Sequence, residues 1–476
     1  MKKILIILMA FLVIASCTKL EDMNKNVKSP TEVPGVTLFS SAQKNLASQI
    51  ASTNVNMNVF KLWAQYWTET TYTDEANYDI INRTIADNAW EEWYRDVLMD
   101  FKEAGIIIAA TEYATDGEKA EAANQLVIID MMEVFVYERM VTLWGNIPYS
   151  QALDIENTTP AYDDGLTIYK DLITRLDADI AALDMANGSF GDADLVYGGD
   201  VASWKMFANS LKLRMGITLA DVEPGLAGST VQSAVAGVFA SNADNASFDF
   251  LAVTPNTNPL YVDLTLSGRQ DFIGTTIITY YMEPMADPRM AAYFTLAPDT
   301  NVYLGGVYGA SNPYVGFSHV GDMITQDPSF PALLIGFAEV EFLLAEAAAR
   351  GLTNDDPETH YNHGIEASFD FWGIGDVATY LAKPEVAYST AAATWQEVIG
   401  TQAWIAYYNN GYLGWTSWRR LDAPEFKPPP GMVQSDIPTR FTYPVFEQTL
   451  NGANYTEAAA AIGGDDLTTK LFWDKH

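Results

Sequence analysis

Apolar residues return at helical spacing in four long stretches of the chain, and each stretch predicts an amphipathic helix. In one of them, Ile168, Leu172, Leu176 and Ile180 lie four apart, with Asp, Lys and Arg on the opposite side. The first stretch is apolar on almost all sides, which is typical of a helix buried around most of its circumference. The four stretches are residues 124–144, 162–183, 203–224 and 337–351.

Weaker helical patterns cover residues 39–65, 88–111 and 395–408. Helices of these lengths suit helical hairpins stacked as in tetratricopeptide repeats, although no strict period of roughly 34 residues is visible. The sequence therefore predicts a mainly α-helical scaffold.

Residues 249–334 and 411–450 break this pattern. They are rich in Tyr, Gly, Pro, Asn and Thr and contain only short apolar runs such as Thr275–Tyr281. Long loops without periodicity are usually functional or disordered, and the aromatic content here argues against disorder. We expect large irregular loops and a few short strands that carry the ligand-binding regions.

The first residues have the pattern of a bacterial export signal. Lys2 and Lys3 precede an unbroken apolar run, Ile4–Ala15, which is shorter than the roughly 20 residues needed to span a bilayer. The run leads into the motif IASC, which ends at Cys17 and fits a lipobox, in which the cysteine sulfur receives a diacylglycerol. The alternative is an ordinary secretory signal with an incidental cysteine.

These observations divide the chain into three parts. We predict a signal peptide at residues 1–16, a lipidated Cys17 with a flexible tether at residues 17–36, and a single domain at residues 37–476. The tether is polar and contains two prolines without apolar periodicity.

The formal net charge of −34 changes the expected partners. A body this acidic repels phosphate backbones and anionic head groups, which argues against nucleic acid and leaves the lipid anchor as the membrane attachment. The chain has 1 cysteine, so a large core rather than disulfides must stabilise it.

Several motifs in order along the chain resemble SusD/RagB-type nutrient-binding lipoproteins. Besides the lipobox, they are LWGNIPYSQAL (143–153), LVYGGDVASWKMFANSLKLRM (195–215), AEVEFLLAEAAARG (338–351), YNHGIEASFDFWG (361–373) and RFTYPVFEQTLN (440–451).

The resemblance implies a SusD-like α-superhelix of about four tetratricopeptide-like helix pairs, with large irregular loops and a few short strands. It also implies a surface-exposed lipoprotein of the outer membrane that captures an oligosaccharide or a peptide. In that family the loop region acts as a lid on a SusC-like TonB-dependent transporter, and no reaction is catalysed.

The candidate ligand-binding residues lie in residues 249–334 and in a further irregular segment, a polar stretch at residues 72–78 that is expected to meet solvent. In both, aromatic rings and polar side chains occur together. Tyr and Trp offer flat apolar faces to sugar rings, and Asn or Arg can hydrogen-bond the hydroxyls. The alternative is that these rings pack in the core. The candidates are Tyr72, Asn77, Tyr78, Arg269, Tyr303 and Tyr314.

A second aromatic group contains Trp415 and Trp418, followed by Arg419 and Arg420. The arginines could meet a ligand through cation–π contacts or clamp the C-terminal region through carboxylates. The structural interpretation is favoured.

The sequence offers no catalytic constellation and no cofactor motif. His360 and His363 lie three apart but lack the spacing and the glutamate of a zinc protease motif. Asp192, Asp194 and Asp200 give only a weak indication of structural calcium. A surface glycan hydrolase with an unrecognised carboxylate pair, and a scaffold without a small ligand, remain the alternatives to a binding protein.

Overall fold

The computed structural model describes residues 33–475, and most of its regular structure is helical. The α-helices are α1 (Gly35–Ala51), α2 (Phe60–Trp63), α3 (Ile85–Glu91), α4 (Met99–Ala110), α5 (Asp116–Trp144), α6 (Gly165–Ala182), α7 (Val201–Thr218), α8 (Pro224–Ala234), α9 (Pro259–Tyr261), α10 (Met290–Tyr293), α11 (Asp322–Thr325), α12 (Phe337–Ala349), α13 (Pro357–Phe371), α14 (Val377–Leu381), α15 (Trp395–Ala406), α16 (Gly411–Leu421), α17 (Val445–Leu450) and α18 (Gly452–Ala461).

Short strands form three antiparallel pairs within residues 33–475. They are β1 (Trp67–Glu69) with β5 (Phe272–Gly274), β2 (Ile147–Pro148) with β3 (Tyr162–Asp163), and β4 (Ala246–Phe248) with β6 (Ala332–Ile335). The remaining helical turns are π-helical at Glu92–Leu98, Val262–Leu266 and Ile277–Met282, and 3-10 at Gly191–Ala193, Val235–Gly237, Asn242–Asp244, Tyr314–Gly316 and Gln434–Asp436.

The four strong helix predictions are confirmed, with shifted ends that local chemistry explains. Helix α5 begins eight residues before the predicted stretch because Thr115 and Glu118 form a capping box at its N-terminus. It ends before Gly145, whose φ of 86° suits a glycine. Helix α7 begins after Asp200, whose carboxylate accepts hydrogen bonds from the backbone N–H groups of Ala202 and Ser203.

Eight of these helices pack as four successive pairs, as predicted for a SusD-like superhelix. Each pair consists of neighbours along the chain: α5 with α6, α7 with α8, α12 with α13, and α15 with α16. Helix α7 also contacts α5, α6 and α12, and α12 contacts α15, so that the pairs stack on one another.

Buried ion pairs connect three of the stacked pairs through helix α12. Arg214 of α7 donates from Nε to Glu339 Oε1 at 2.6 Å, and Arg420 of α16 donates from Nη2 to Glu346 Oε2 at 2.8 Å. All four side chains are buried. Breaking such a pair on one side leaves an uncompensated buried charge, so these contacts fix how the pairs stack.

Residues 411–450 were predicted to be irregular, and this prediction is wrong at both ends, because residues 411–421 and 445–450 are helical. Residues 411–421 form helix α16. Asn410 caps the N-terminus of this helix by accepting a hydrogen bond from the N–H of Leu413, and the aromatic rings of the helix pack inward. Its glycines misled the prediction, since they permit close packing rather than turns. A Cβ at Gly411 would overlap the backbone nitrogen of Lys61, and one at Gly414 would overlap the Tyr66 hydroxyl.

The N-terminal predictions fall largely outside the described residues. Cys17 and the predicted signal peptide lie in residues 1–32, and helix α1 begins at Gly35, two residues inside the predicted tether. Within residues 33–475, helices with the length and apolar character of a membrane span are absent.

Candidate functional site

Three distant segments of the irregular region meet around Thr70, just after strand β1. The N–H of Thr70 donates to the carbonyl of Asp271 at 2.9 Å, and its hydroxyl donates to Gln270 O at 2.8 Å. The carbonyl of Thr70 accepts from the N–H of Asn312 and from the hydroxyl of Ser311, both at 3.0 Å. Residues 67–80, 264–274 and 304–320 are therefore held together by backbone hydrogen bonds.

A cavity of about 140 Å³ lies beside this junction, and we call it the Arg269 cavity. Arg269 and Tyr314, predicted from different segments, both line it. It also presents histidine, carboxylate, amide and hydroxyl groups. The remaining lining residues are Leu264, Thr265, Phe272, Thr295, His319, Val320, Asp322, Thr325 and Gln326.

Arg269 is held in place by its backbone and by one neighbouring carboxylate. Its N–H donates to Asp263 O at 3.1 Å, and Gly268 turns the chain before it with a φ of 61°. Its Nε lies 2.9 Å from Asp271 Oδ2, while 55% of the side chain stays exposed. A planar guanidinium carries five N–H donors, so a single carboxylate contact leaves donors for a ligand.

Tyr314 and His319 form a stacked aromatic pair in the wall of the Arg269 cavity. Their ring centroids are 3.5 Å apart, with 9° between the planes. His319 Nε2 lies 2.8 Å from the carbonyl oxygen of Tyr314, which only accepts, so Nε2 carries the proton. Burial lowers the pKa of His319 and raises that of Tyr314, which favours the neutral form of both rings.

The other predicted site residues have different surroundings. Tyr72 is 79% exposed, with a φ of 55°, two residues beyond Thr70. Asn77 is half-buried and donates from Nδ2 to Gly309 O at 2.8 Å, so it joins two loops. Tyr303 is half-buried against the core and lies outside the lining of the Arg269 cavity.

Tyr78 was expected to meet solvent, and this expectation is wrong, because only 6% of the residue is exposed. Its ring meets Trp63 edge-on, with 6.3 Å between centroids, and lies equally far from the ring of Tyr308. Burial raises its pKa far above the ordinary value. Tyr78 and Tyr308 therefore support the loops from beneath.

Sequence reasoning missed several lining residues, among them His319, Asp322 and Gln326. They lie inside the region predicted to bind ligand, but no local spacing distinguishes them. Their positions depend on contacts between distant parts of the chain, such as the hydrogen bond from the N–H of Gly274 to the carbonyl of Ser318 at 2.9 Å, and such contacts have no local signal in the sequence.

The Trp415 group is structural, as favoured. Arg419 is buried, and its guanidinium lies 3.7 Å from the centre of the Trp415 ring. Its Nη1 donates to the carbonyls of Thr142 at 2.8 Å and Thr439 at 2.9 Å. It therefore clamps the C-terminal segment to helix α5 and is inaccessible to a ligand.

The acidic cluster considered for calcium is also occupied by protein donors. Asp194 Oδ2 accepts from Trp204 Nε1 at 2.7 Å and from the N–H of Gly199 at 3.0 Å. Asp194 Oδ1 accepts from Gln43 Nε2, and Asp200 caps helix α7. These carboxylates organise the start of α7.

A larger cavity, of about 450 Å³, lies between helix α1 and residues 248–256. Its two aromatic residues, Phe248 and Phe250, are buried, with 5% and 3% of their surface exposed. Because sugar binding requires accessible ring faces next to polar groups, the smaller Arg269 cavity is the better candidate.

Comparisons with known proteins agree with this architecture. A family model for SusD-like proteins, described as "Starch-binding associating with outer membrane", matches residues 25–444. No curated protein matches the chain.

Among solved structures, a chitin-binding protein is 25% identical, with a TM-score of 0.79 over 93% of this chain and 100% of its own. A SusD homolog from Bacteroides uniformis is 25% identical, with a TM-score of 0.78 over 92% and 99% of the two chains. A chitin-binding SusD homolog from Flavobacterium johnsoniae, at 24% identity, shares the fold with a TM-score of 0.77 over 92% and 98%.

Proposed function

Because this chain belongs to the SusD-like family, whose description is starch-binding and associated with the outer membrane, we propose that it binds an oligosaccharide in the Arg269 cavity. The observation that carries the proposal is the meeting of Arg269 with the Tyr314–His319 pair in one polar cavity. The rings cover the apolar face of a sugar, and the guanidinium donates to its hydroxyls. Tyr72, exposed beyond the Thr70 junction, extends the surface for a longer chain.

A neutral glycan suits this site better than an anionic one. The chain carries a formal net charge of −34, which repels anions at a distance, and Asp322 adds a carboxylate to the cavity lining. Chito- and malto-oligosaccharides are therefore the first probes, with acidic glycans and peptides as comparisons.

Calorimetric titration of the mature protein with these probes tests the proposal. Tyr314→Ala should weaken binding by about tenfold or more, since an aromatic platform typically contributes on the order of 2 kcal/mol. Tyr280→Ala is the matched control, because Tyr280 is 53% exposed in the same irregular region but lies outside the cavity. Equal affinity of both variants for every bound glycan would refute the placement and direct attention to the 450 Å³ cavity. Selective binding of peptides would show that the ligand is a peptide rather than an oligosaccharide.

We further propose that the protein changes no covalent bond in its ligand. Support comes from its family, which is described as starch-binding, and from the lining of the Arg269 cavity, where Asp322 is the one carboxylate residue among the described residues, whereas glycoside hydrolysis normally uses a pair. Prolonged incubation with a bound glycan, followed by mass spectrometry, should return the glycan intact. Products that disappear after a single carboxylate-to-amide substitution would instead establish a hydrolase.

The finer localisation is also a proposal: Cys17 carries lipid, the body faces the outside of the cell, and a SusC-like TonB-dependent transporter receives the ligand. Acyl chains would supply the membrane attachment that an acidic body lacks. Cys17→Ala should release a folded, exported protein into the soluble fraction while glycan affinity is unchanged. Affinity purification of the lipidated protein should recover the transporter. Retention of the variant by membranes lacking that transporter would contradict the anchor.

A further inference from the structure

The helix pair α12–α13 brings together two histidines and a carboxylate outside the Arg269 cavity. His360 Nδ1 lies 2.7 Å from Glu341 Oε2, and His363 Nδ1 lies 3.6 Å from the same oxygen. One ligand atom from each residue falls within 4.8 Å of the others. We propose that Glu341, His360 and His363 bind a divalent transition-metal ion of the Zn²⁺ class.

The separations suit one shared ion. Zinc lies about 2.0–2.2 Å from imidazole nitrogens and carboxylate oxygens, so two tetrahedral ligands are roughly 3.3 Å apart. The two observed distances, 2.7 and 3.6 Å, fall on either side of that value. Small side-chain rotations therefore open space for an ion without moving either helix.

The two helices already hold the three proposed ligand residues close together. Glu341 is buried on helix α12, while His360 and His363 occupy one side of helix α13, three positions apart. His363 is 51% exposed, which gives an ion a path from solvent and leaves room for a water ligand. Two histidines, one glutamate and a water form a familiar zinc ligand set.

A second carboxylate, that of Asp355, lies near the ring nitrogen of His360 that would not bind the ion. Asp355 Oδ2 is 4.0 Å from His360 Nε2, on the side away from Glu341. When Nδ1 binds a metal, Nε2 carries the ring proton, and metal-bound histidines usually donate that proton to a carboxylate or carbonyl. In this structure Nδ1 faces Glu341 at hydrogen-bond distance, so the ion would take the place of the Nδ1 proton, and a small rotation would bring Asp355 to Nε2.

The choice of imidazole ligands separates this site from the acidic surface. Imidazole favours Zn²⁺, Co²⁺, Ni²⁺ and Cu²⁺, whereas Ca²⁺ and Mg²⁺ favour oxygen ligands. The ion would join α12 to α13 and stabilise that helix pair. This inference is independent of the glycan proposal.

Titration of the metal-free mature protein with Zn²⁺ alone, in millimolar Ca²⁺ to saturate weak oxygen sites, tests the inference. We expect one micromolar or tighter site and a higher midpoint of thermal unfolding with Zn²⁺. Co²⁺ should give the visible absorption of a tetrahedral complex. His363→Ala should reduce affinity at least tenfold, and the variant should unfold at the same temperature as the metal-free parent because His363 is exposed.

Glu358→Gln is the matched control, because Glu358 is an exposed carboxylate on the same helix and is not among the ligands. It should bind Zn²⁺ as the parent does. Absence of a Zn²⁺ site, or equal losses in His363→Ala and Glu358→Gln, would overturn the proposal and assign any uptake to the general negative charge. An intact glycan affinity in His363→Ala is expected in either case.

Discussion

Two segments place an arginine beside aromatic rings, and their surroundings give the same residue types opposite roles. Arg419 lies buried in the scaffold, with its guanidinium 3.7 Å from the Trp415 ring and 4.6 Å from that of Trp473. Arg269 lies in the irregular region, more than half exposed, in the lining that Tyr314 shares.

The two arginines differ in how completely the protein uses their donors. Arg419 gives hydrogen bonds to two carbonyls and to the hydroxyl of Thr416. Within residues 33–475, Arg269 forms an ion pair with Asp271 alone. An enclosed guanidinium that is hydrogen-bonded through both terminal nitrogens stabilises the fold, whereas an exposed one with remaining donors is available to a ligand. Composition alone cannot distinguish them.

The largest expected effect tests the scaffold side. Trp204→Ala should lower the free energy of unfolding by about 3–5 kcal/mol, because Trp204 is fully buried and donates to Asp194. Chemical denaturation measures the loss, with Tyr280→Ala as the exposed aromatic control. A cost below about 1 kcal/mol would show that α7 is not part of the core.

A smaller loss is expected from the buried arginine itself. Arg419→Ala should cost roughly 2–4 kcal/mol, since it leaves buried carbonyls of Thr142 and Thr439 without a donor. The comparison variant is Arg269→Ala, which should change stability by less than about 0.5 kcal/mol. Equal costs in denaturation experiments would erase the distinction between the two arginines.

Glu69, which precedes Thr70 at the meeting point of the three irregular segments, should make the stability of the fold depend on pH. Burial and neighbouring Glu75 raise the pKa of Glu69 to about 9. The folded state therefore holds a proton that the unfolded chain, with a pKa near 4.3, releases, and stability falls as the pH rises between these values.

Glu69→Gln mimics the protonated form, accepting from the N–H of Ala76 as Glu69 does. The variant should be more stable than the parent by roughly 1–3 kcal/mol at pH 8 and equal to it at pH 4. Melting curves at both pH values measure this. A parent that gains stability from pH 5 to pH 8 relative to the variant would show that Glu69 is ionised in the fold.

The smallest expected free-energy change is in the free energy of ligand binding. Arg269→Ala should weaken glycan binding by about tenfold, near 1.4 kcal/mol, while Arg269→Lys should recover only part of the loss, since an ammonium lacks the planar fork. Titration calorimetry gives both affinities. Unchanged binding in Arg269→Ala would show that Arg269 does not contact the ligand and would limit the proposed site to Tyr314 and His319.

The helical scaffold was predictable because its apolar spacing is local. The 162–183 stripe predicted α6, and the predicted end of α5 at residue 144 is correct, whereas its start was missed because the Thr115–Glu118 capping box lies before the apolar stretch. Helix α16 was missed because Gly411 and Gly414 have a packing role that only the facing chain reveals.

The candidate site was predictable as a region and only partly as a set of residues. Loop composition drew attention to Arg269 and Tyr314, but Tyr78 has the same composition around it and lies in the core. Which face of a loop meets solvent depends on strand pairings between distant segments. Those pairings leave no periodic pattern in the chain.

The junction at Thr70 also has a consequence for the order in which the molecule assembles. The hydroxyl of Thr68 accepts from the N–H of Gly309, 241 residues further along the chain, and Thr70 reaches 200 residues to Gln270. Contacts of such long range carry a loop-closure cost and slow the folding of the elements that depend on them. A chain that ends before Tyr314 can form its first helix pairs but lacks one wall of the cavity. Binding at the proposed site would then arise only after these long-range contacts have formed, which makes ligand binding a sensitive assay of their formation.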